Sequence, residues 1–344
     1  MRLPPIPTSE ELLNKAFSRA RKAASAARTS RIPSQKKAKT IEIIRIQTAC
    51  NIIKDKLKLI IERTPDIESL PEFYQDYVDV TVGIDPLKKS LGAINWAAGI
   101  ISQLEREYRR RIRKSRPSLA SSIRREAYGR ISSVIKKIGD DLDFLDFTRN
   151  KLKNMPTVDF DAFTVVIAGF PNVGKSTILR RLTGAKPKVA EYPFTTKGIQ
   201  IGYLQMRWNK IQVIDTPGLL DRPIDEMNNI ELKAMVALEN LADIILFIFD
   251  ASETCGYPME SQYNLFKDLK NIFKIPFICV FNKMDLIENI KYIKKYTIRV
   301  EDPILISALE DEGVPRLIKR LEGFLHEKKT RKTIRHAGKK KING

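Results

Sequence analysis

Gly169, Gly174, Lys175 and Ser176 stand at fixed spacing in "GFPNVGKST", between the apolar run "FTVVIAG" and the helix-like "STILRRLTG". These residue types suit a polyphosphate. Glycines let the backbone wrap closely, so several N–H groups converge on one phosphate, and the N-terminus of the following helix adds partial positive charge. Lys175 places a point charge between the outer phosphates, and the Ser176 hydroxyl can ligate Mg2+. Asn172, Val173 and Thr177 belong to the same cradle.

Further motifs follow in order. Asp215, Thr216, Pro217 and Gly218 close the run "KIQVIDT" and its turn. Asp215 suits a water-mediated hold on Mg2+, and the Gly218 N–H suits a bond to a γ-phosphate. "NKMD", Asn282 to Asp285 with Lys283 between them, follows "FICVF". A carboxylate at Asp285 accepts from both N1–H and the N2 amine of guanine. Adenine lacks that donor pair and leaves the site's polar groups unpaired. "ISAL" offers Ser307 and the Ala308 N–H to the guanine O6. Between the first two motifs, Thr195 and Thr196 in "YPFTTK" form a polar pair that a γ-phosphate and metal would order.

These residues need elements to position them. From about residue 158 short apolar runs alternate with helical stretches: "FTVVIAG", "IQIGYLQM", "KIQVIDT", "DIILFIFD", "FICVFNK" and "ILISA" read as strands. That alternation predicts an α/β domain over 158–327, a mostly parallel doubly wound sheet with helices on both faces. Residues 1–157 read as an all-α bundle. Thr8 and Glu11 fit a capping box, Asp85 and Pro86 a helix start, and Pro117 a break before one long helix to about Leu152. Trp96 is expected in the bundle core with the Leu/Ile stripes. Residues 328–344, rich in Lys and Arg and without an acid, are expected to be a flexible basic tail.

The 344 residues carry 61 Lys and Arg against 41 Asp and Glu, a formal charge of +20. Such an excess favours a polyanionic partner, nucleic acid before an anionic membrane. Basic clusters lie at Arg109, Arg110, Arg111, Arg113, Lys114 and Arg116, and at Arg124, Arg125 and Arg130. Few aromatics accompany them (Tyr108 and Tyr128), so recognition of RNA shape and phosphate is expected rather than base reading. Cys50, Cys255 and Cys279 are far apart with no CxxC pair, which argues against a disulfide framework or zinc site, and both histidines lie near the C-terminus. The N-terminus lacks a signal-peptide core, and no apolar run reaches the ~20 residues of a membrane span. A cytoplasmic, monomeric protein without stable membrane association is expected.

The motif string, with "TPGLLDRP", "SETCG", "LPEFYQDYVDV" and "LKKSLGAINWAAGII", resembles the Obg-type GTPases, and among them the nucleolar GTP-binding (Nog) subfamily. The resemblance covers roughly Thr40 to Glu327. It implies a P-loop GTPase domain after a helical domain, with GTP or GDP and Mg2+ as ligands. It makes Thr196 rather than Thr195 the switch threonine on Mg2+, beside Ser176 and Asp215, and Lys175, Thr196 and Gly218 the catalytic groups. It implies a role in large ribosomal subunit assembly, with rRNA, ribosomal proteins or a pre-ribosomal particle as partners. The long C-terminal extension of eukaryotic members is not in this sequence, which suggests a short, archaeal-like form.

The residue after the DxxG motif is Leu219, which cannot orient water as glutamine does in Ras-like enzymes, so slow intrinsic hydrolysis is expected. Relatives with asparagine at position 172 use it to help bind K+, which implies K+ stimulation here. Ordering of Thr196 and Gly218 by the γ-phosphate would make a timer, with "GLLDRP" and "MNNIELKAM" as moving parts. The alternatives are an RNA-binding scaffold with structural nucleotide and incidental turnover, and a GTPase on a membrane surface.

Overall fold

The computed structural model describes residues 3–28, 34–184, 187–192, 198–206, 209–288 and 290–342. The chain divides into two compact units, Met1–Pro71 with Thr81–Asn154, and Glu72–Val80 with Met155–Gly344.

The first unit is helical. It contains α1 (Ser9–Arg28) and α2 (Ser34–Arg63), and after α3 (Glu72–Val82), most of which belongs to the other unit, α4 (Ile84–Lys114), α5 (Ala120–Lys137) and α6 (Gly139–Leu152). The capping box forms at α1: the Thr8 N–H donates to Glu11 Oε2 at 3.0 Å and the Glu11 N–H to Thr8 Oγ1 at 3.2 Å. Helix α4 begins one residue before the expected Asp85, after Gly83, whose φ of 80° a side chain would resist. The helix expected to run unbroken to Leu152 is interrupted at Ile138, where the backbone leaves helical geometry (ψ 17°) before Gly139 restarts it. Leu12, Ala16 and Ala20 of α1, Ile46, Ile53, Leu57 and Ile60 of α2, and Ile94, Ile101 and Tyr108 of α4 are all buried, and α2 packs against both α1 and α4. Trp96 is not in that core. It is 43 % exposed, with the Lys137 ammonium 5.0 Å over its ring, an amphipathic arrangement that suits indole at a surface.

The second unit is built on a seven-stranded sheet in the order β2-β3-β4-β1-β5-β6-β7. Its strands are β1 (Phe163–Ala168), β2 (Lys188–Ala190), β3 (Ile199–Gln205), β4 (Lys210–Asp215), β5 (Ile244–Asp250), β6 (Phe277–Asn282) and β7 (Ile304–Leu305). Strands β4, β1, β5, β6 and β7 are parallel, whereas β2, β3 and β4 pair antiparallel. The fold is therefore mostly parallel, as expected, with one short exposed strand, β2, that its charged sequence concealed. Every residue of β1 and β5 is buried, which explains their unbroken apolar runs. The helices are α7 (Lys175–Thr183), α8 (Asn229–Glu239), α9 (Met259–Ile272), α10 (Ile290–Thr297) and α11 (Val314–Ile342). Helix α11 continues through the segment expected as a flexible tail; Lys, Arg and Ala all favour helix.

Helix α3 was expected in the bundle, yet Glu72–Val80 belongs with the sheet. Phe73 packs against Phe160 and Tyr192, and the Tyr74 hydroxyl donates to Pro156 O at 3.1 Å and accepts from the Val158 N–H at 3.2 Å. The aromatic face of α3 decides its allegiance, since aromatic rings carry large apolar area. Among the described residues no helix is long and apolar enough to cross a membrane.

Candidate functional site

Parallel strands end on one edge, and the loops that follow β1, β4, β6 and β7 meet there. Register sets the neighbours: Ile167 pairs with Asp215, and Asp250 with Asn282. The chain crosses from one side of β1 to the other after β4, the switch point at which open α/β sheets bind ligands.

The phosphate-type loop turns at Gly169 (φ 134°), Asn172 (φ 64°) and Gly174 (φ 102°). A Cβ at Gly169 would lie 2.4 Å from Ile248 O, and one at Gly174 2.2 Å from Asn282 Nδ2, so neither position accepts a side chain. Lys175 opens α7 and is buried; its ammonium donates to Gly169 O at 2.7 Å and Phe170 O at 2.8 Å. Burial pushes its pKa down, while Asp221 and Asp215 push it back up.

A cavity of about 600 Å³ brings Asn172, Gly174, Lys175, Ser176 and Thr177 together with Asp215 and Gly218. Ser176 Oγ donates to Asp215 Oδ2 at 3.0 Å. Asp215 is fully buried, its Oδ1 has no partner among the described residues, and burial raises its pKa. The same cavity is lined by residues that sequence reasoning left unassigned: Gln200, Asp221, Arg222 and Tyr257. Tyr257 stacks on Phe170 with centroids 4.1 Å apart. "GLLDRP" was in view as a moving part, but nothing local marks which of its side chains turns inward.

Asn282 ties two loops together. Its Nδ2 donates to Val173 O at 2.9 Å, and its Oδ1 accepts the Ala308 N–H at 3.0 Å. The Ala308 N–H, expected on a guanine oxygen, is thus engaged with Asn282 in this structure. Arg181 of α7 holds the same loop through the Ala308 carbonyl at 2.9 Å. Ser307 is fully buried and its hydroxyl accepts the Glu310 N–H at 3.2 Å, which places it inside the loop. Lys283, at φ 61°, donates to Asp250 Oδ2 at 2.7 Å and Thr254 Oγ1 at 2.8 Å. Asp285 sits exposed on a single 3-10 turn. Thr195 and Thr196 lie outside the described residues.

Asp250 organises the "SETCG" loop. Its carboxylate also accepts from the Ser252 N–H at 3.0 Å and the Cys255 N–H at 2.7 Å. Burial pushes its pKa up, but Lys283, Ser252 and Cys255 more than offset this and hold it below the usual value. Cys255 is buried within this loop, and Cys50 of α2 and Cys279 of β6 are buried in their own elements.

Fold and site together define a P-loop GTPase-domain protein that binds guanine nucleotide, preceded by a helical domain. Residues 1–159 match the NOG1 N-terminal helical domain and residues 164–283 the 50S ribosome-binding GTPase family. The chain belongs to the nucleolar GTP-binding protein 1 family. It is 47 % identical over 83 % of its length to an uncharacterised protein of Methanocaldococcus jannaschii, 81 % of which is covered. It is 32 % identical to nucleolar GTP-binding protein 1 of Encephalitozoon cuniculi, covering 82 % of this chain and 54 % of the relative. For that of Saccharomyces cerevisiae the values are 35 %, 68 % and 36 %. The chain thus spans about a third to a half of the length of these nucleolar relatives. A Plasmodium falciparum chain described as nucleolar GTP-binding protein 1 aligns at a TM-score of 0.46 and 31 % identity, covering 55 % of this chain and 98 % of that one.

Proposed function

We propose that this protein is a slow, Mg2+-dependent GTPase switch in large ribosomal subunit assembly. The observation that carries the reading is the convergence of Lys175, Ser176, Asp215 and Gly218 on one cavity at the sheet's carboxyl edge, with the NKMD loop clamped to it through Asn282. Lys175 and the Gly218 N–H hold the outer phosphates, and Asp285 reads guanine, with Lys283 oriented beside it by Asp250.

The donors fit Mg2+. An unpartnered oxygen of a buried carboxylate beside a serine hydroxyl is the all-oxygen environment that ion prefers. Among the described residues no cluster of three or more His, Cys, Asp or Glu could hold a metal. The ion would therefore rest on Ser176, Asp215 and the nucleotide, with Thr196 as a third protein ligand, and would neutralise charge developing between the outer phosphates. Leu219 is fully buried and has no polar group for a water, so turnover without an external activator is slow. K+ held with the help of Asn172 is the stimulant we assign.

The helical unit supplies the grip on rRNA and ribosomal protein. Arg111 pairs with Glu126, Arg124 with Glu42 and Arg109 with Glu105. Arg110, Arg113, Lys114, Arg116, Arg125 and Arg130 are exposed and form no ion pair among the described residues. Tyr108 is buried, and Tyr128 stacks on Phe17 at 4.1 Å. Neither ring is presented to a base, which favours phosphate and shape recognition. We place the protein in the cytoplasm as a monomer.

Calorimetry on nucleotide-stripped protein with Mg2+ tests the site: heat with GTP and GDP and none with ATP is expected, and equal heat with ATP overturns it. Sedimentation with large subunits in the presence of GMPPNP or GDP tests the switch; binding that ignores the nucleotide overturns it. The buried Leu219 favours one other reading, an RNA-binding scaffold with incidental turnover. That reading wins if a Thr196→Ala protein that binds GTP but does not hydrolyse it supports normal subunit assembly in cells.

A further inference from the structure

We propose that the Asp221 carboxylate is a resident competitor for the terminal phosphate, and that it sets the site's preference between guanosine di- and triphosphate. This rests on the guanine-nucleotide reading above. Two donors of the motif serve the γ-phosphate position, the Gly218 N–H and the Lys175 ammonium. In the structure the Gly218 N–H donates to Asp221 Oδ2 at 2.8 Å. The same oxygen lies 3.8 Å from Lys175 Nζ. One carboxylate oxygen therefore engages both.

The contact is built into the fold. Asp221 is only 8 % exposed, and Leu219 and Leu220 before it are buried. The Gly169 N–H donates to Leu220 O at 3.0 Å, which pins this turn to the first residue of the phosphate loop. The next residue, Arg222, lines the same cavity and is held 2.6 Å from Glu231 of α8. The Asn228 N–H also donates to Glu231, at 2.9 Å. The carboxylate thus stands on a short arm anchored to the phosphate loop at one end and to α8 at the other.

Two anions cannot share one N–H and one ammonium without repelling each other. A nucleoside diphosphate shares Lys175 through its β-phosphate but leaves the Asp221 bond to the Gly218 N–H undisturbed. A triphosphate displaces the carboxylate, and through Arg222 and Glu231 that displacement reaches the first turn of α8. If Asp221 served only to close the turn, its removal would affect both nucleotides alike, so the ratio of affinities is the informative quantity.

The test is titration of the full chain with GMPPNP and with GDP, each with Mg2+, for wild type, Asp221→Ala and Asp221→Asn. Asparagine keeps an oxygen for the Gly218 N–H and removes the charge facing Lys175, so it serves if alanine unfolds the turn. The dissociation constant for GMPPNP should fall about tenfold in Asp221→Ala, equivalent to ~1.4 kcal/mol, and less in Asp221→Asn, while that for GDP stays within about twofold. Affinities that shift together, or weaker GMPPNP binding in both variants, overturn the proposal. Wild-type protein that binds neither nucleotide, or binds ADP as well as GDP, overturns the nucleotide reading itself and this inference with it.

Discussion

Tyr192 stacks on Phe73, with ring centroids 6.0 Å apart and planes inclined by 15°. The ring just before the threonine pair thus leans on α3, and its hydroxyl donates to Ala234 O of α8 at 2.8 Å. One buried side chain ties together a helix from the N-terminal half, the loop before Thr195 and the helix that follows the DxxG turn. Burial pushes its phenol pKa far above the usual value, so it acts as a neutral donor. Tyr192→Phe should cost about 1 kcal/mol, one hydrogen bond. Tyr192→Ala should cost about 3–5 kcal/mol for the lost ring. Urea unfolding followed by circular dichroism measures both; equal losses would show that the hydroxyl, not the ring, carries the joint.

Asp250 gives a pH signature. Its folded pKa is depressed, so the stability it contributes is present above the unfolded value of about 3.9 and is lost as pH falls through the folded value. Asp250→Asn should melt lower at neutral pH and should approach wild type as both are taken from pH 5 towards pH 2. A difference in melting temperature that stays constant over that range would contradict the assignment. Guanine-nucleotide affinity should weaken in the same variant, because Lys283 loses its anchor.

Gly174 is packed against Asn282. Ala at 174 would force a positive φ on a side chain and press it against Asn282 Nδ2. The expected cost exceeds about 1 kcal/mol, with loss of nucleotide binding. Asn282→Ala should cost less in the Gly174→Ala background than in wild type, since the clamp is already broken. Additive losses in a double-mutant cycle would show that the two positions act independently.

Asn172 faces the same cavity with a left-handed backbone. GTP turnover should be faster in KCl than in NaCl at equal ionic strength, and Asn172→Ala should abolish the difference. Initial phosphate-release rates check this, and equal rates for the wild type in the two salts would remove K+ from the proposal.

The phosphate loop, the DxxG turn and NKMD were legible because each is a contiguous run whose chemistry is local. Backbone N–H groups, a lysine and a hydroxyl must lie a few residues apart to meet one phosphate, so spacing alone announces them. The alternation of apolar runs and helices was legible for the same reason: burial on both faces imposes it strand by strand. Trp96 failed that logic, because a helix presents a surface stripe as well as a core stripe and an indole fits either.

Side-chain partners across the fold were not legible. Asn282 reaches Val173 across 109 residues of sequence, and Asp221 reaches Lys175 only because the β1–β4 register sets their loops side by side. Residues 72–80 fall in the stretch read as bundle, and the partners of their aromatic face, Phe160 and Tyr192, lie far along the chain. Local composition pointed to a polyphosphate ligand. Packing between distant segments chose which carboxylate faces the Gly218 N–H and the Lys175 ammonium, because such contacts depend on register and buried shape that no short stretch encodes.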